Sequence, residues 1–331
     1  MNFSDQDVIL TSHQWLQNNH CVYLLTVLAT WGSSPRPVGS IAAVRDDGLI
    51  VGSVSGGCVE ETLVEQLLTK SEIFHFPHEV TFGLTQDERL RMDLPCGGQL
   101  TIFIERVESM EAFQPLVLAM QTRQVMQRRV KRLTGEVFIG DVVGGKNLFF
   151  YDDVHIAKTF ASPWRLLLIG AGPLSHLLAQ LANILGYDII VSDPRDHYAK
   201  NWNISSVTFT DLMPDDAVRE FCRDPYCGVV ALSHDPKLDD MALMEALISP
   251  AFYVGALGSK NNNARRRERL SLLDLSAKEI SRMHGPAGLP IGSKVPEEIA
   301  LSIMAEITAE KNKMFIRQKN SKQPNQSAMP A

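Results

Sequence analysis

The sequence predicts a mixed α/β protein of two domains, an α+β domain followed by a doubly wound parallel sheet. Three observations carry this prediction. The chain has 331 residues, more than the roughly 250–300 that one hydrophobic core usually supports. In its second half, short apolar segments alternate with helical segments, the order that produces a parallel sheet. A joint at Ala161, Ser162 and Pro163 separates the halves, so we predict domains over residues 1–160 and 161–317.

Apolar spacing and turn residues set the elements of the first domain. Asp46, Asp47 and Gly48 predict a hairpin turn. The segment 30–40 contains two prolines, which fix φ, so it is predicted as a rigid loop that holds Arg36 outward. In chain order, the sequence predicts a helix over 5–18, strands over 22–29, 41–45 and 49–53, a helix over 59–68, strands over 80–82 and 99–105, a helix over 110–121 and two strand pairs ending near residue 151.

The second domain opens on an apolar strand over 165–169, a turn containing Gly170 and Gly172, and a helix that ends near residue 185. The next strand, over 188–192, ends at Asp193. This order is typical of a Rossmann-like domain. The sequence also predicts strands over 228–233 and 252–257, a helix that begins at Pro296, and a polar, disordered tail over 318–331.

Composition excludes several classes of protein. The net charge of −6 gives no reason to expect a nucleic-acid partner. No apolar run approaches the roughly 18 residues of a membrane span, and the first ten residues lack the apolar core of a signal peptide. Five cysteines scattered through a long chain do not form a disulfide framework. We therefore expect a cytoplasmic protein with reduced thiols and no membrane association.

Two short loops set a cysteine beside paired glycines. The first contains Gly56, Gly57 and Cys58 and leads into a helix, and the second runs over 96–98 (Cys96, Gly97 and Gly98). Glycine lets the backbone approach a ligand closely, and a cysteine in the first turn of a helix tends toward the thiolate, a soft metal ligand. These loops and Arg36 predict a site for an anionic, metal-bearing ligand. The alternative is that both cysteines are small buried side chains.

The glycine turn of the second domain admits two interpretations. A nucleotide would place its phosphates at Gly170 and Gly172 and a ribose hydroxyl at Asp193. Asp193 favours a free ribose hydroxyl over a 2′-phosphate, and Arg195 nearby weakens that preference. A turn of this kind also persists on domains that have another role. The sequence leaves both open.

Two further motifs follow later strands and helices of the second domain. His234 follows the strand predicted over 228–233, and a structural role for a loop histidine of this kind is more common than a role in binding. The run that contains Arg265, Arg266, Arg267 and Arg269 predicts a solvated helix face, with phosphate or partner binding as the alternative.

Several of these segments together resemble one family. They stand at 32–39 (GSSPRPVG), 52–60 (GSVSGGCVE), 96–98 (CGG), 234–239 (HDPKLD), 253–259 (YVGALGS) and 284–289 (HGPAGL), with PEEIA at 296–300. In this order they resemble the XdhC/CoxI family, the xanthine dehydrogenase accessory proteins that handle molybdenum cofactor. The chain departs from the family at Pro173, where the family has histidine, and at Val295, where it has a threonine or serine cap.

The resemblance implies a chaperone rather than an enzyme. Members bind molybdenum cofactor, as molybdopterin or its cytosine dinucleotide form, protect it from oxidation, allow a cysteine desulfurase to replace an oxo ligand by sulfur, and insert it into an apo-molybdoenzyme large subunit of the xanthine dehydrogenase or aldehyde oxidase type. A homodimer is expected. On this basis Cys58 and Cys96 are expected to converge on one pocket and contact the molybdenum, with Arg36 at the phosphate or dithiolene side. The second domain would add a wall of that pocket, a nucleotide site or a docking surface.

Two other functions stay open at this stage. The first is an NAD(P)-dependent oxidoreductase, although no Lys, His or Tyr stands in a recognisable hydride-transfer arrangement. The second is an adaptor that joins desulfurase and client without holding the cofactor.

Overall fold

The computed structural model describes residues 4–31, 36–57, 59–70, 74–84, 98–142, 149–199 and 202–320. The chain divides into two compact units, Met1–Ser162 and Pro163–Ala331. Each unit has its own sheets and its own hydrophobic clusters.

The first unit is built on a five-stranded antiparallel sheet and a four-stranded antiparallel sheet. Its elements are α1 (Asp5–Gln17), β1 (Val22–Trp31), β2 (Ile41–Arg45), β3 (Ile50–Gly52), α2 (Glu60–Lys70), β4 (His78–Phe82), β5 (Gln99–Val107), α3 (Gln114–Gln121), β6 (Met126–Lys131), β7 (Val137–Gly140), β8 (Phe149–Tyr151) and β9 (His155–Phe160). The larger sheet has the order β3-β2-β1-β5-β4, and the smaller sheet has the order β7-β6-β9-β8.

Both faces of the larger sheet are covered by helices. Side chains of a strand alternate between faces, so Leu24 of β1 packs with α1 and α3, whereas its neighbour Leu25 packs with Leu63 and Leu67 of α2. A capping box between Ser4 and Asp7 fixes the start of α1. The central strand β1 is therefore apolar on both sides.

The second unit is a six-stranded parallel sheet with helices on both faces. Its elements are β10 (Arg165–Ile169), α4 (Pro173–Ile184), β11 (Asp188–Ser192), α5 (Asp196–Ala199), β12 (Thr208–Thr210), α6 (Pro214–Phe221), β13 (Cys227–Ala231), α7 (Pro236–Ile248), β14 (Tyr253–Ala256), α8 (Lys260–Ser271), α9 (Ala277–Ile280), β15 (Met283–His284) and α10 (Pro296–Asn320). The strand order is β12-β11-β10-β13-β14-β15, and every pair is parallel.

Alternation along β10 shows how the two faces are filled. Leu166 and Leu168 belong to the cluster that contains α4 and α10, whereas Leu167 and Ile169 belong to the cluster that contains α6 and α7. The order of the strands reverses between β10 and β13, because the chain runs outward from β10 through β11 to β12 and then returns. Ligands of such sheets bind near this reversal, beyond the carboxyl ends of the strands.

The predicted fold class is confirmed, and most predicted elements appear within a few residues of their expected bounds. The helix predicted over 110–121 is instead a 3-10 turn, Met110–Ala112, followed by α3. Ser109 caps the turn through the N–H of Glu111, and a proline in the first turn of α3 favours a fresh helix start.

Two further observations bear on the sequence predictions. The sulfur atoms of Cys222 and Cys227 lie side by side, a proximity that the sequence did not predict, and the expectation of reduced thiols stays a prediction. The helix α10 continues through Asn320, past the predicted start of a disordered tail at residue 318. Residues 321–331 of that tail lie outside the described residues.

Candidate functional sites

Three loops of the first unit leave the larger sheet at the same end. In the antiparallel register, Trp31 at the end of β1 pairs with Gln99 at the start of β5, and Gly52 at the end of β3 pairs with Ala42 at the start of β2. The segments after β1, after β3 and before β5 therefore lie toward the same end of the sheet, with Gly52 level with Ile104, five residues along β5 from Gln99. These segments contain Arg36, the first glycine-cysteine loop and the second one.

The carboxylate of Glu60 organises the first glycine-cysteine loop. Its Oε1 accepts the hydroxyl of Ser53 (2.6 Å) and the backbone N–H groups of Val54 and Ser55 (both 2.9 Å). Its Oε2 accepts the N–H groups of Gly57 (3.1 Å) and Val59 (3.3 Å) and the Ser55 hydroxyl. A protein carboxylate thus fills the concave set of N–H donors in a loop that the sequence predicted as part of a site for an anionic ligand.

These contacts change the acidity of Glu60. Burial opposes its ionisation, but the hydrogen bonds from Ser53, Ser55 and the loop backbone outweigh this effect and lower its pKa to about 2. Glu60 was part of the sequence motif, but no role was predicted for it. Serines just upstream of an acid in the first turn of a helix are the available signal.

The structure describes only some of the predicted contact residues of the first unit. Gly56 and Gly57 are exposed with φ of +89° and +122°, and no atom of the described residues lies within 4 Å of a Cβ added to Gly57. The N–H of Gly56 donates to the Ser53 hydroxyl (2.9 Å). Gly98 is buried, and Arg36 is half-buried. The remaining three, Cys58, Cys96 and Gly97, lie outside the described residues.

Asp193 at the glycine turn of the second unit already has a full set of partners. Arg195 holds it with two side-chain hydrogen bonds, Nε to Oδ1 (2.8 Å) and Nη2 to Oδ2 (2.7 Å). The N–H groups of Ala171 (2.9 Å) and Arg195 (3.1 Å) also donate to it. Burial disfavours its charge, but Arg195 and these N–H groups lower the pKa of Asp193 overall. A ribose at Asp193 would have to displace Arg195.

The two glycines of this turn differ in whether a side chain would fit at their positions. A Cβ on Gly170 would lie 2.8 Å from the Cα of Ser233, so this position requires glycine for the close approach of two loops. Within the described ranges, no atom lies within 4 Å of a Cβ added to Gly172. At the start of α4, Pro173 supplies no N–H, and the buried Ser175 donates its hydroxyl to the carbonyl of Gly170 (2.5 Å). The turn therefore offers fewer donors to an anion than a glycine-rich turn does.

A cavity of about 310 Å³ lies beyond the ends of β13 and β14. Motifs that were separate in the sequence meet here, because parallel neighbouring strands end at the same edge. The lining residues are Ser233, His234, Pro236, Asp239, Leu257, Gly258, Asn262, Arg265, Arg266 and Arg269.

The prediction of a solvated arginine face is wrong for Arg266, which is 7% exposed. Its Nη2 donates to the buried Asp239 (2.8 Å), and its Nη1 donates to the carbonyl of Leu257 (2.9 Å). Asp239 also accepts the N–H of Ser233 (3.1 Å). Burial raises the pKa of Asp239 to about 6, against the opposing effect of Arg266.

The other three arginines have different environments. Arg267 donates to the carbonyls of Met283 and Gly285 (both 3.1 Å), and Arg269 forms two hydrogen bonds with Asp240 (2.7 and 3.1 Å). Arg265 is exposed and has no hydrogen bond or ion pair within the described ranges. The run is therefore a set of separate structural and cavity-lining groups.

The loop after β15 is held by Glu306 of α10. Its carboxylate accepts the Tyr253 hydroxyl (2.6 Å) and the N–H of Gly288 (2.8 Å), and it lies 3.1 Å from Nδ1 of His284. Burial disfavours the charge of Glu306, but these partners lower its pKa. The motif at 284–288 is accordingly explained by packing.

Two general features bear on function. Among residues that the structure describes, no three His, Cys, Asp or Glu side chains are grouped so that they could hold a metal ion. No helix in the described part of the chain is both long enough and apolar enough to span a membrane.

Two family profiles match the chain. The profile of the XdhC and CoxI family matches residues 15–71, and that of the XdhC Rossmann domain matches residues 166–307. The chain belongs to the XdhC/CoxI family. The resemblance inferred from the motifs is thereby confirmed.

Similar proteins cover nearly the whole of this XdhC/CoxI chain. A Bacillus subtilis protein described as a probable subunit of xanthine dehydrogenase is 26% identical over 328 residues, 91% of this chain and 96% of the relative. The molybdenum cofactor insertion chaperone PaoD of Escherichia coli is 26% identical over 302 residues, 86% of this chain and 82% of the relative. A crystal structure described as a xanthine dehydrogenase of Bacillus halodurans has a TM-score of 0.73 at 22% identity and covers 97% of this chain and 98% of that one. This last likeness concerns the fold.

Proposed function

We propose that this protein is an accessory chaperone of molybdoenzyme maturation that carries molybdenum cofactor to an enzyme of the xanthine dehydrogenase type. Family membership and the name of the insertion chaperone among its relatives support this role. In this proposal the cofactor is cargo, bound for a time and then released to the apo-enzyme.

The observation that carries the proposal is the shared sheet edge in the first unit. The described residues that flank both glycine-cysteine loops, Gly52 and Gln99, leave the sheet at the same end. Val54 and Val59, on either side of the first cysteine, belong to one hydrophobic cluster with Leu100, which follows the second. These flanks favour a common pocket for Cys58 and Cys96.

The chain's residues would divide the work as follows. Thiolates of Cys58 and Cys96 would contact the molybdenum, because sulfur suits a soft metal centre, and Arg36 would face the anionic side of the cargo. Gly57 would provide space for close approach, since no atom of the part of the chain that the structure describes lies within 4 Å of an added Cβ. Because the N–H groups of Gly56 and Gly57 have internal acceptors, their proposed role is steric. Gly97 and Gly98 would do the same in the second loop.

Finer steps of maturation belong to the same proposal. The protein would protect the cofactor, present it to a cysteine desulfurase for replacement of an oxo ligand by sulfur, and insert it into the large subunit of the client. We propose that it does so as a homodimer. Molybdopterin and its cytosine dinucleotide form are both compatible cargoes.

The test is purification of the full chain from a cofactor-producing host, with the released pterin identified by mass and fluorescence. We expect Cys58→Ala and Cys96→Ala each to lower the pterin retained and the activation of the client. Cys21→Ala is the matched control, because Cys21 lies just before β1 and outside these loops. Full retention and full activation by both loop variants would refute the sulfur contacts.

The same preparation separates the two rival functions. An adaptor without cofactor would bind client and desulfurase equally well in both cysteine variants and release no pterin. A nicotinamide-dependent oxidoreductase would turn over NAD(P) with a carbonyl substrate, in spite of the Arg195 contact at Asp193.

A further inference from the structure

We propose that the cavity between the ends of β13 and β14 binds a small phosphate monoester. The inference concerns the second unit alone and does not depend on the cofactor role of the first. It rests on where the cavity lies, on its charges and on its size.

The location is the one that parallel sheets use for ligands. The cavity lies beyond the carboxyl ends of β13 and β14, and β13 is one of the two strands at which the strand order reverses. The Gly170 turn beside it is a poorer anion site, because Pro173 supplies no N–H and the side chain of Arg195 is already hydrogen-bonded to the carboxylate of Asp193. The cavity is therefore the stronger candidate at this edge.

The charges of the cavity favour an anion. Arg266 is matched by Asp239 (2.8 Å), and Arg269 is matched by Asp240 (2.7 Å). The guanidinium of Arg265 adds a positive charge that no carboxylate in the described part of the chain offsets. The start of α8, capped by the neutral hydroxyl of Ser259, lies at the same place and contributes the positive end of a helix dipole, whereas the start of α7 is capped by the carboxylate of Asp235.

Two walls of the cavity supply donors that the fold does not use. His234, on the loop after β13, and Arg265, on α8, are exposed and have no hydrogen-bond partner among residues the structure describes. The buried Nε of Arg266 also has no hydrogen-bond acceptor among the described residues; Oδ1 of Asp240 lies 3.5 Å from it. Groups of this kind are rare in a core unless a ligand or water meets them.

Charge and size together select the ligand class. A phosphate monoester carries about −1.5 to −2 at pH 7 and offers several acceptor oxygens, which suits basic groups supplied by two separate elements, the loop after β13 and α8, better than a single carboxylate does. A volume of about 310 Å³ is near the lower limit of small-molecule pockets. The cavity therefore fits a sugar phosphate or a molecule of similar size, and it is too small for a whole dinucleotide.

The experiment is calorimetric titration of the full chain with ribose 5-phosphate and, separately, with inorganic phosphate and succinate, all at one ionic strength. We expect ribose 5-phosphate to bind and Arg265→Ala to weaken binding at least about tenfold, through loss of a charge-assisted contact. His234→Ala, on the loop after β13, should also weaken it. Lys278→Ala removes an exposed positive charge on α9 and should leave the affinity unchanged.

Each other outcome overturns the proposal. Absence of phosphate-ester binding by the wild-type chain would do so, as would equal affinity for succinate. Equal weakening by Lys278→Ala and Arg265→Ala would mean that net charge alone is responsible. Because Arg265 and His234 are exposed and make no described contact, both variants should fold, and their circular dichroism and thermal melting are to match the wild type.

Discussion

The glycine loop of the first unit, residues 53–59, and the β13–β14 cavity of the second unit look alike in sequence and differ in charge. Each has glycine beside the start of a helix, and each contains donors suited to an anion. In the first, the carboxylate of Glu60 accepts four backbone N–H groups and two hydroxyls. In the second, Asp239 pairs with Arg266 and Asp240 pairs with Arg269. No carboxylate among the described residues pairs with Arg265.

This difference shows that a glycine loop at a helix start does not by itself predict a ligand site. Whether such a loop is available to an anionic ligand depends on whether a carboxylate of the chain itself lies within hydrogen-bond distance of the donors. Asp193 and Arg195 at the Gly170 turn illustrate the same rule with the signs exchanged. There, the acid that would bind a ligand is bound by an internal cation.

The largest effect is expected at the cavity. Asp239→Ala should lower the free energy of unfolding by about 3–5 kcal/mol, because it leaves the buried Arg266 without its principal counter-charge. Asp216→Ala is the control: its pair with Arg219 is exposed and should cost less than about 1 kcal/mol. Denaturant titration measures both. Similar small losses in both variants would mean that the buried pair does not hold this edge together.

The glycine loop should show the next largest effect, and it should depend on pH. The pKa of Glu60 is lowered to about 2 from a usual value near 4.5, so its stabilisation is complete above about pH 4.5 and is lost as the pH falls toward about 2. The shift corresponds to a contribution on the order of 3 kcal/mol. Glu60→Gln should lose this contribution at neutral pH and reduce the slope of stability against pH below 4.5. An unchanged slope would show that Glu60 does not organise the loop.

The smallest effect is expected at the Gly170 turn. Arg195→Ala should destabilise the protein by about 1–3 kcal/mol, because Asp193 keeps two backbone donors but loses its cation. If Asp193 is able to hold a ribose, removal of Arg195 should also tighten binding of NAD, measured by fluorescence titration. Arg223→Ala, which removes an exposed pair with Glu220, should change neither quantity. Tighter NAD binding by the wild type than by Arg195→Ala would mean that Arg195 helps the nucleotide.

Local patterns were sufficient for most of the fold. The apolar run over 165–169 and the glycine turn after it predicted β10 and α4, because strand period and turn chemistry depend on residues close in sequence. The edge strands β12 and β15 were not predicted, since they span only Thr208–Thr210 and Met283–His284 and leave almost no periodic signal. The break before α3 was missed because a capping serine and a proline fall inside an otherwise helical segment.

The candidate sites were predicted less completely. The sequence singled out His234, the run from Arg265 to Arg269 and the motif at 253–259 separately, and nothing in their spacing showed that they line one cavity. The buried state of Arg266 depends on Asp239, which lies 27 residues earlier in the chain. The proposed meeting of Cys58 and Cys96 stays a prediction, supported by the register of the strands that flank them.

The amino-acid sequence by itself determined the family, the two-domain α/β architecture and the position of every glycine loop, because these follow from motifs and periods within short stretches of chain. Only the tertiary structure decided which donors of those loops have partners inside the protein. Electrostatic pairing acts through space, so the partners of Glu60, Asp193 and Arg266 became evident only when the folded chain brought their charges within hydrogen-bond distance.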